Sequence, residues 1–306
     1  MVSEGSIQYM DLEDRFRGAI LGLAIGDALG MPVEGLSSKE IEDNFGTIDD
    51  FIPSPDGFGA GEWTDDTEEM LILSESIINS VYLDPHDFSR RLVSAMDLGK
   101  LIKAGPTTRR AIYNLQTGVP WSRSGVEADT CGAAMRVAPI GLIYNFSFGL
   151  VEKYAYVSSM VTHKGGAAIG GAVAVAVAIA CICHQYDKES LLREVITKTE
   201  KYDKLVSGKI ASRSVDGVSM YTWDAVPAAF YCFLTFDSYK ECVLNAVNLG
   251  GDTDSIGAMA GAMKGAEVGI GGVPQRWIDG VKDSIYLQEM AEQLFRTFTE
   301  ISSTLP

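Results

Sequence analysis

Residues 61–75, GEWTDDTEEMLILSE, bring Asp65, Asp66, Glu68 and Glu69 together just ahead of an apolar helical run, with Glu62 close upstream. Two like charges about 4 Å apart repel by about 4 kcal/mol in a medium of effective dielectric 20. Water, a helix N-terminus or a cation must offset that repulsion. Acidic residues in the first turn of a helix gain about 0.3–1 kcal/mol each from its dipole. Thr64 or Asp65 can serve as the N-cap, with Glu68 closing a capping box from Asp65. On this stretch alone, a helix cap and a cation site are equally good readings.

A second acidic turn favours the cation. Residues 250–255 read GGDTDS and lead into a helix of small residues. Gly250-Gly251 give the backbone freedom for an irregular turn, in which Asp252 and Asp254 can converge. If the two turns face each other, Asp65, Asp66, Asp252 and Asp254 join the hydroxyls of Thr64, Thr253 and Ser255. Such an all-oxygen set favours Mg²⁺ or Mn²⁺, suits Ca²⁺ less well and does not suit zinc. Four carboxylates neutralise two divalent ions, and the expected separation of such a pair is about 3.5–4 Å. Glu34, at a Pro-containing turn after the GDALG segment, reads by itself as a solvated loop residue. Asp27 reads as a buried hydrogen-bonding residue.

The elements that must position these turns are helices. Strand signals are scarce: no series of alternating β-branched runs with hairpin turns is present. Asp84-Pro85 open a segment with an N-cap and a first-turn proline, and the expected stop is Gly105-Pro106. A further helix is expected from Thr107 or Thr108 to about Gly118. Others are expected over 150–161, 166–184, 188–201, 224–236, 238–249, 255–269 and 284–301, with a short one from Pro274 to Trp277. Residues 203–222 are the most loop-like and read as an insertion or lid. Gly18, Gly22, Gly26 and Gly30 recur every four residues, and 165–178 and 257–269 are similarly rich in small residues. Such a stripe lets another backbone come close. Residues 165–183 approach the length of a membrane span, but their Ala, Gly and Val content points to a buried central helix. No dinucleotide-binding glycine fingerprint is present. The expectation is one compact all-α domain over residues 1–306.

Composition narrows the function classes. The formal net charge is −16, so nucleic-acid binding is not expected as the main role. The five cysteines are irregularly spaced and read as free thiols, and the polar N-terminus does not read as a signal peptide. A cytoplasmic location without membrane association is therefore expected. Cys181, Cys183 and His184 form half of a metal motif that nothing completes. Trp63 reads as a core or rim residue beside the first acidic turn, and Met259 and Met263 as core filling.

Five stretches, in order, resemble the ADP-ribosylglycohydrolase family: GLAIGDALGMPVEG at 22–35, GEWTDDTEEM at 61–70, CGAAMRVAPIGL at 131–142, THKGGAAIGGAVAVA at 162–176 and AVNLGGDTDSIGAMAGAMKGA at 246–266. The resemblance implies a compact multi-helix orthogonal bundle whose cleft holds two Mg²⁺ or Mn²⁺ ions. Thr64, Asp65, Asp66, Asp252, Asp254 and Ser255 are the implied metal ligands, Ser255 standing where the family usually has Thr. Glu34 is implicated in proton transfer, with Asp65 or Asp66 assisting. Cys131, Gly132, Met135 and His163 match segments that line the ADP-ribose pocket. The implied reaction is hydrolysis at C1″ of an ADP-ribosyl group on a protein or in a small-molecule conjugate. A dinuclear phosphohydrolase is one alternative, and a non-catalytic binding or crystallin-like member another. Two departures bear on specificity. Cys131 replaces a more polar family position, and Gly105-Pro106 run straight into Thr107-Thr108-Arg109 where many members carry an acidic residue and a glycine. In arginine-specific members that loop touches the scissile bond.

Overall fold

The computed structural model describes residues 4–304. Among them are sixteen α-helices, three short 3-10 turns and no strand, so the all-α expectation is met.

The site is positioned by a glycine-on-glycine helix contact. Gly18, Gly22, Gly26 and Gly30 share one stripe of the first helix, Glu4–Gly30. Gly257, Gly261 and Gly265 share one on the helix Thr253–Val268. The stripes meet antiparallel. A Cβ on Gly22 would lie 2.4 Å from the Gly261 carbonyl oxygen, and one on Gly26 2.0 Å from that of Gly257. Each glycine costs a helix interior about 1 kcal/mol relative to alanine. Close approach offsets that by burying Ile20, Leu23, Met259 and Met263 on the flanks. Antiparallel packing sets the end of the first helix beside the start of the second. There the Thr253 hydroxyl donates to the Gly30 carbonyl at 2.8 Å.

Gly166–Cys183 is the buried central helix expected from its composition. It packs against Ala138–Ile143, Phe148–Met160, Lys188–Thr199 and Thr253–Val268. Leu12–Val33 and Gly166–Cys183 are both long and apolar enough to cross a membrane, and both lie almost wholly inside the protein.

Some elements differ from expectation: the helices Ser38–Phe45, Trp121–Ser124 and Ala138–Ile143 are not among those expected, and two stretches depart more sharply. The helix that starts at Pro85 ends at Asp97, well short of Gly105. Gly99 adopts φ +68, and its N–H and that of Lys100 close the last turn on the carbonyls of Met96 and Ala95. This glycine-terminated turn leaves 98–105 as a loop. Within 203–222, Lys204–Ser212 is a helix whose N-cap is Asp203, its carboxylate accepting from Val206 N–H at 2.8 Å. Its Val206 and Ile210 reach the core, so only the stretch after it is a loop.

Candidate active site

The first acidic turn starts the helix Asp65–Ser80. The expected capping box from Asp65 to Glu68 does not form. Asp27, on the first helix, caps this helix instead: its carboxylate accepts from the backbone N–H groups of Thr64 and Thr67 and from both their hydroxyls, at 2.6–3.1 Å. A cap supplied from another helix leaves Asp65 and Asp66 free to face outward from the turn. Glu69, one turn on, forms a fully buried ion pair with Arg136. Arg136 also donates to the Ser158 carbonyl and the Thr162 hydroxyl at 2.9 and 2.8 Å.

The second turn depends on left-handed backbone at Gly250 and Gly251, φ +83 and +76. A Cβ on Gly251 would stand 1.9 Å from the Val218 carbonyl oxygen. Gly251 exchanges backbone hydrogen bonds with Gly35 and Leu36, at 2.8 and 2.7 Å. The Glu34 turn is thereby stitched to the Asp252 turn. Carboxylate oxygens of Glu34, Asp252 and Asp254 all lie within 4.8 Å of one another.

These turns open onto a cleft of about 300 Å³. Asp65, Asp66, Glu34, Asp252, Asp254, Ser255, Cys131, Gly132, Met135 and His163 all line it. Thr64 does not; its buried hydroxyl faces Asp27 and Asp66. The Cys131 thiol donates to Asp252 Oδ2 at 2.9 Å, and Gly132 lies against His163, leaving no room for a Cβ. The His163 ring is held between the hydroxyls of Thr162 and Thr130, at 2.8 and 3.1 Å.

The electrostatics are those of crowded, dry carboxylates. Burial raises Asp66 well above the carboxylate range, and Asp254, Asp27, Asp65 and Asp252 raise it further. Burial, then Glu34 and Asp252, do the same to Asp254. Asp65 rises through burial, Glu69 and Asp27. Asp252 rises mainly through burial, against which the Cys131 hydrogen bond acts. Burial lifts Asp27 to about 6, its threonine bonds opposing the rise. Burial and the nearby Arg136 charge push His163 down to about 3, so its ring is neutral at physiological pH. Asp66 Oδ1 is buried without a hydrogen-bond partner. An orphaned carboxylate oxygen facing further carboxylates fits a hard divalent cation, which supplies the missing partner.

Lys103 had no sequence signal, while the loop of Thr107 and Thr108 and the turn of Thr130 and Cys131 stood in stretches the sequence singled out. Lys103 lines the cleft and pairs with Glu34 at 2.6 Å. Thr107 and Thr108, at the start of the helix Pro106–Gln116, also line it, as does Thr130. Asp27's capping role spans 37 residues of sequence, a contact that no local pattern encodes. Elsewhere the blander readings hold. Trp63 is buried and donates to the Lys282 carbonyl. His184 is hydrogen-bonded to the Asn145 carbonyl, and Cys181 is buried in the core.

An all-α fold with acid-lined helix starts around one cleft describes a recognisable class of glycohydrolase. The ADP-ribosylglycohydrolase profile matches residues 8–303. An uncharacterized protein of Archaeoglobus fulgidus is 50% identical over 95% of this chain and 99% of its own length. The ADP-ribosylarginine hydrolase Tri1 of Pseudomonas putida is 29% identical, covering 92% of this chain and 78% of its own. A solved ADP-ribosylglycohydrolase-related protein complex superposes with TM-score 0.83 at 29% identity, over 94% of this chain and 99% of that one. The chain belongs to the ADP-ribosylglycohydrolase family.

Proposed function

We propose that this protein hydrolyses the C1″ bond of ADP-ribosyl groups and requires divalent cations, Mg²⁺ or Mn²⁺, to do so. The observation that carries the reading is the convergence of Glu34, Asp65, Asp66, Asp252 and Asp254 on one cleft, with Asp66 Oδ1 left unpartnered, in a chain of this family. Asp65, Asp66, Asp252, Asp254 and Ser255 would hold the cations, with Thr64 buttressing Asp66. Bound there, such ions lower the pKa of water and orient it with the ribose hydroxyls. The chain's own groups account for the rest. Glu34 reaches the cleft from a half-exposed turn and accepts the water's proton. Asp65 and Asp66 face the positive charge that develops at an anomeric carbon during such cleavage. Neutral His163, fixed by Thr130 and Thr162, lines the cleft without adding charge. The Tri1 relative, named for ADP-ribosylarginine, supports ADP-ribose as the glycosyl part.

The test is ADP-ribose release from arginine-linked, serine-linked and 1″-phosphate- or acyl-linked ADP-ribose, with Mg²⁺ or with EDTA. Release from at least one substrate is expected, falling by at least about 10²-fold with EDTA and in Asp252→Ala. Phosphate release from a phosphomonoester, without release of ADP-ribose, would replace this reading with a phosphohydrolase. Binding of neither metal nor ADP-ribose would overturn it.

A further inference from the structure

Among the described residues, Lys103 is the one cationic side chain lining a cleft that carries five carboxylates. Its Nζ stands 2.6 Å from Glu34 Oε2. Its backbone is left-handed, φ +66, although it carries a side chain. A single, partly exposed ion pair gives too little stability to explain that conformation, and backbone strain held at a cleft points to function. The loop around it is fixed. Leu101 and Ala104 are buried, and the Ala104 carbonyl accepts from Arg109 Nε at 2.6 Å. The ammonium is thus held beside Glu34, on the side where the helix Pro106–Gln116 begins. The positive end of that helix dipole faces the same cleft.

We propose that Lys103 selects the leaving group, favouring ADP-ribosyl compounds whose acceptor departs from C1″ as an oxyanion, a phosphate or a carboxylate, over those whose acceptor is a guanidinium. The inference rests on the hydrolase reading above. In the step it describes, the water oxygen bonds to C1″ as the C1″–O bond breaks. The electron pair stays on the departing oxygen, which leaves paired with the Lys103 ammonium. The water's proton passes to the Glu34 carboxylate. No reactant besides water is needed. A guanidinium in the same place would set two cations side by side.

The test compares kcat/KM with Mg²⁺ on ADP-ribose 1″-phosphate, O-acyl ADP-ribose and an arginine-linked peptide. It uses wild type, Lys103→Met and Lys103→Arg, together with ADP-ribose affinity by calorimetry and the Tm of each variant. Wild type should prefer the oxyanion-leaving substrates. The ratio of phosphate-linked to arginine-linked kcat/KM should fall about 10- to 100-fold in Lys103→Met and be largely retained in Lys103→Arg. An unchanged ratio in an active, folded Lys103→Met overturns the inference alone. So does a loss on all substrates in step with ADP-ribose affinity, which would assign the ammonium to the diphosphate. A wild type inactive on all three substrates and on serine-linked ADP-ribose overturns the hydrolase reading, and this inference with it.

Discussion

The glycine-lined contact between the first helix and Thr253–Val268 ends where the acidic cleft begins, yet the two regions are built on opposite terms. Along the stripe, backbones touch, every neighbour is matched, and side chains as small as a methyl do not fit. Beyond Gly30 and Thr253, buried Asp66 and Asp254 crowd together with half-buried Asp252, and Asp66 Oδ1 lacks a partner. The first region stabilises the fold without contributing chemistry. On the proposed reading, the second destabilises the metal-free fold and provides the chemistry. The rigid contact holds the repelling groups together, so the acids are free to be optimised for a ligand.

The sharpest way to break this comparison is to spoil the stripe. In Gly22→Val, the new side chain meets the Gly261 carbonyl and the Tyr239 ring. The expected loss is of order 3–5 kcal/mol, read by urea unfolding, with much of the protein insoluble. Loss of activity should follow loss of fold.

The cleft should respond the other way. Asp66→Asn removes a charge that burial and four other carboxylates disfavour. The metal-free protein should gain about 1 kcal/mol, a rise in Tm of roughly 2 °C, while activity is lost. A lower Tm together with retained activity would mean that Asp66 is a structural group.

The same groups should respond to pH. A carboxyl whose folded pKa is raised binds more protons when folded than when unfolded. Asp27 lies at about 6 against an ordinary 3.8, and Asp65, Asp66 and Asp254 are raised well above that ordinary value. Their contribution is complete below about 3.8 and is lost as pH rises through about 6 and beyond. The Tm of EDTA-treated protein should therefore fall by several degrees from pH 5 to pH 8. Saturating Mn²⁺ should flatten that slope, because cations replace the protons.

Much of this contrast was legible in the sequence. The glycine period marked both stripes, and the two acidic turns stood out by composition. Their pairing did not, because Gly22 meets Gly261 through tertiary packing rather than local pattern. The capping box expected of Asp65 and Glu68 failed because a better cap, Asp27, arrives from another helix. Lys103 was hidden within an expected helix that stops early, at Gly99. The helix Lys204–Ser212 was obscured by polar and small residues whose buried face is only Val206, Ser207 and Ile210.

The central claim is that two helix starts and one turn form a single divalent-cation site. Calorimetric titration of the EDTA-stripped protein with Mn²⁺, repeated on Asp66→Asn and on Asp252→Ala, tests it most directly. Two ions per chain are expected for wild type, with binding weakened in both variants, each of which alters a different turn. Wild-type protein that binds no Mn²⁺, or that loses binding in only one of the two variants, would contradict the claim.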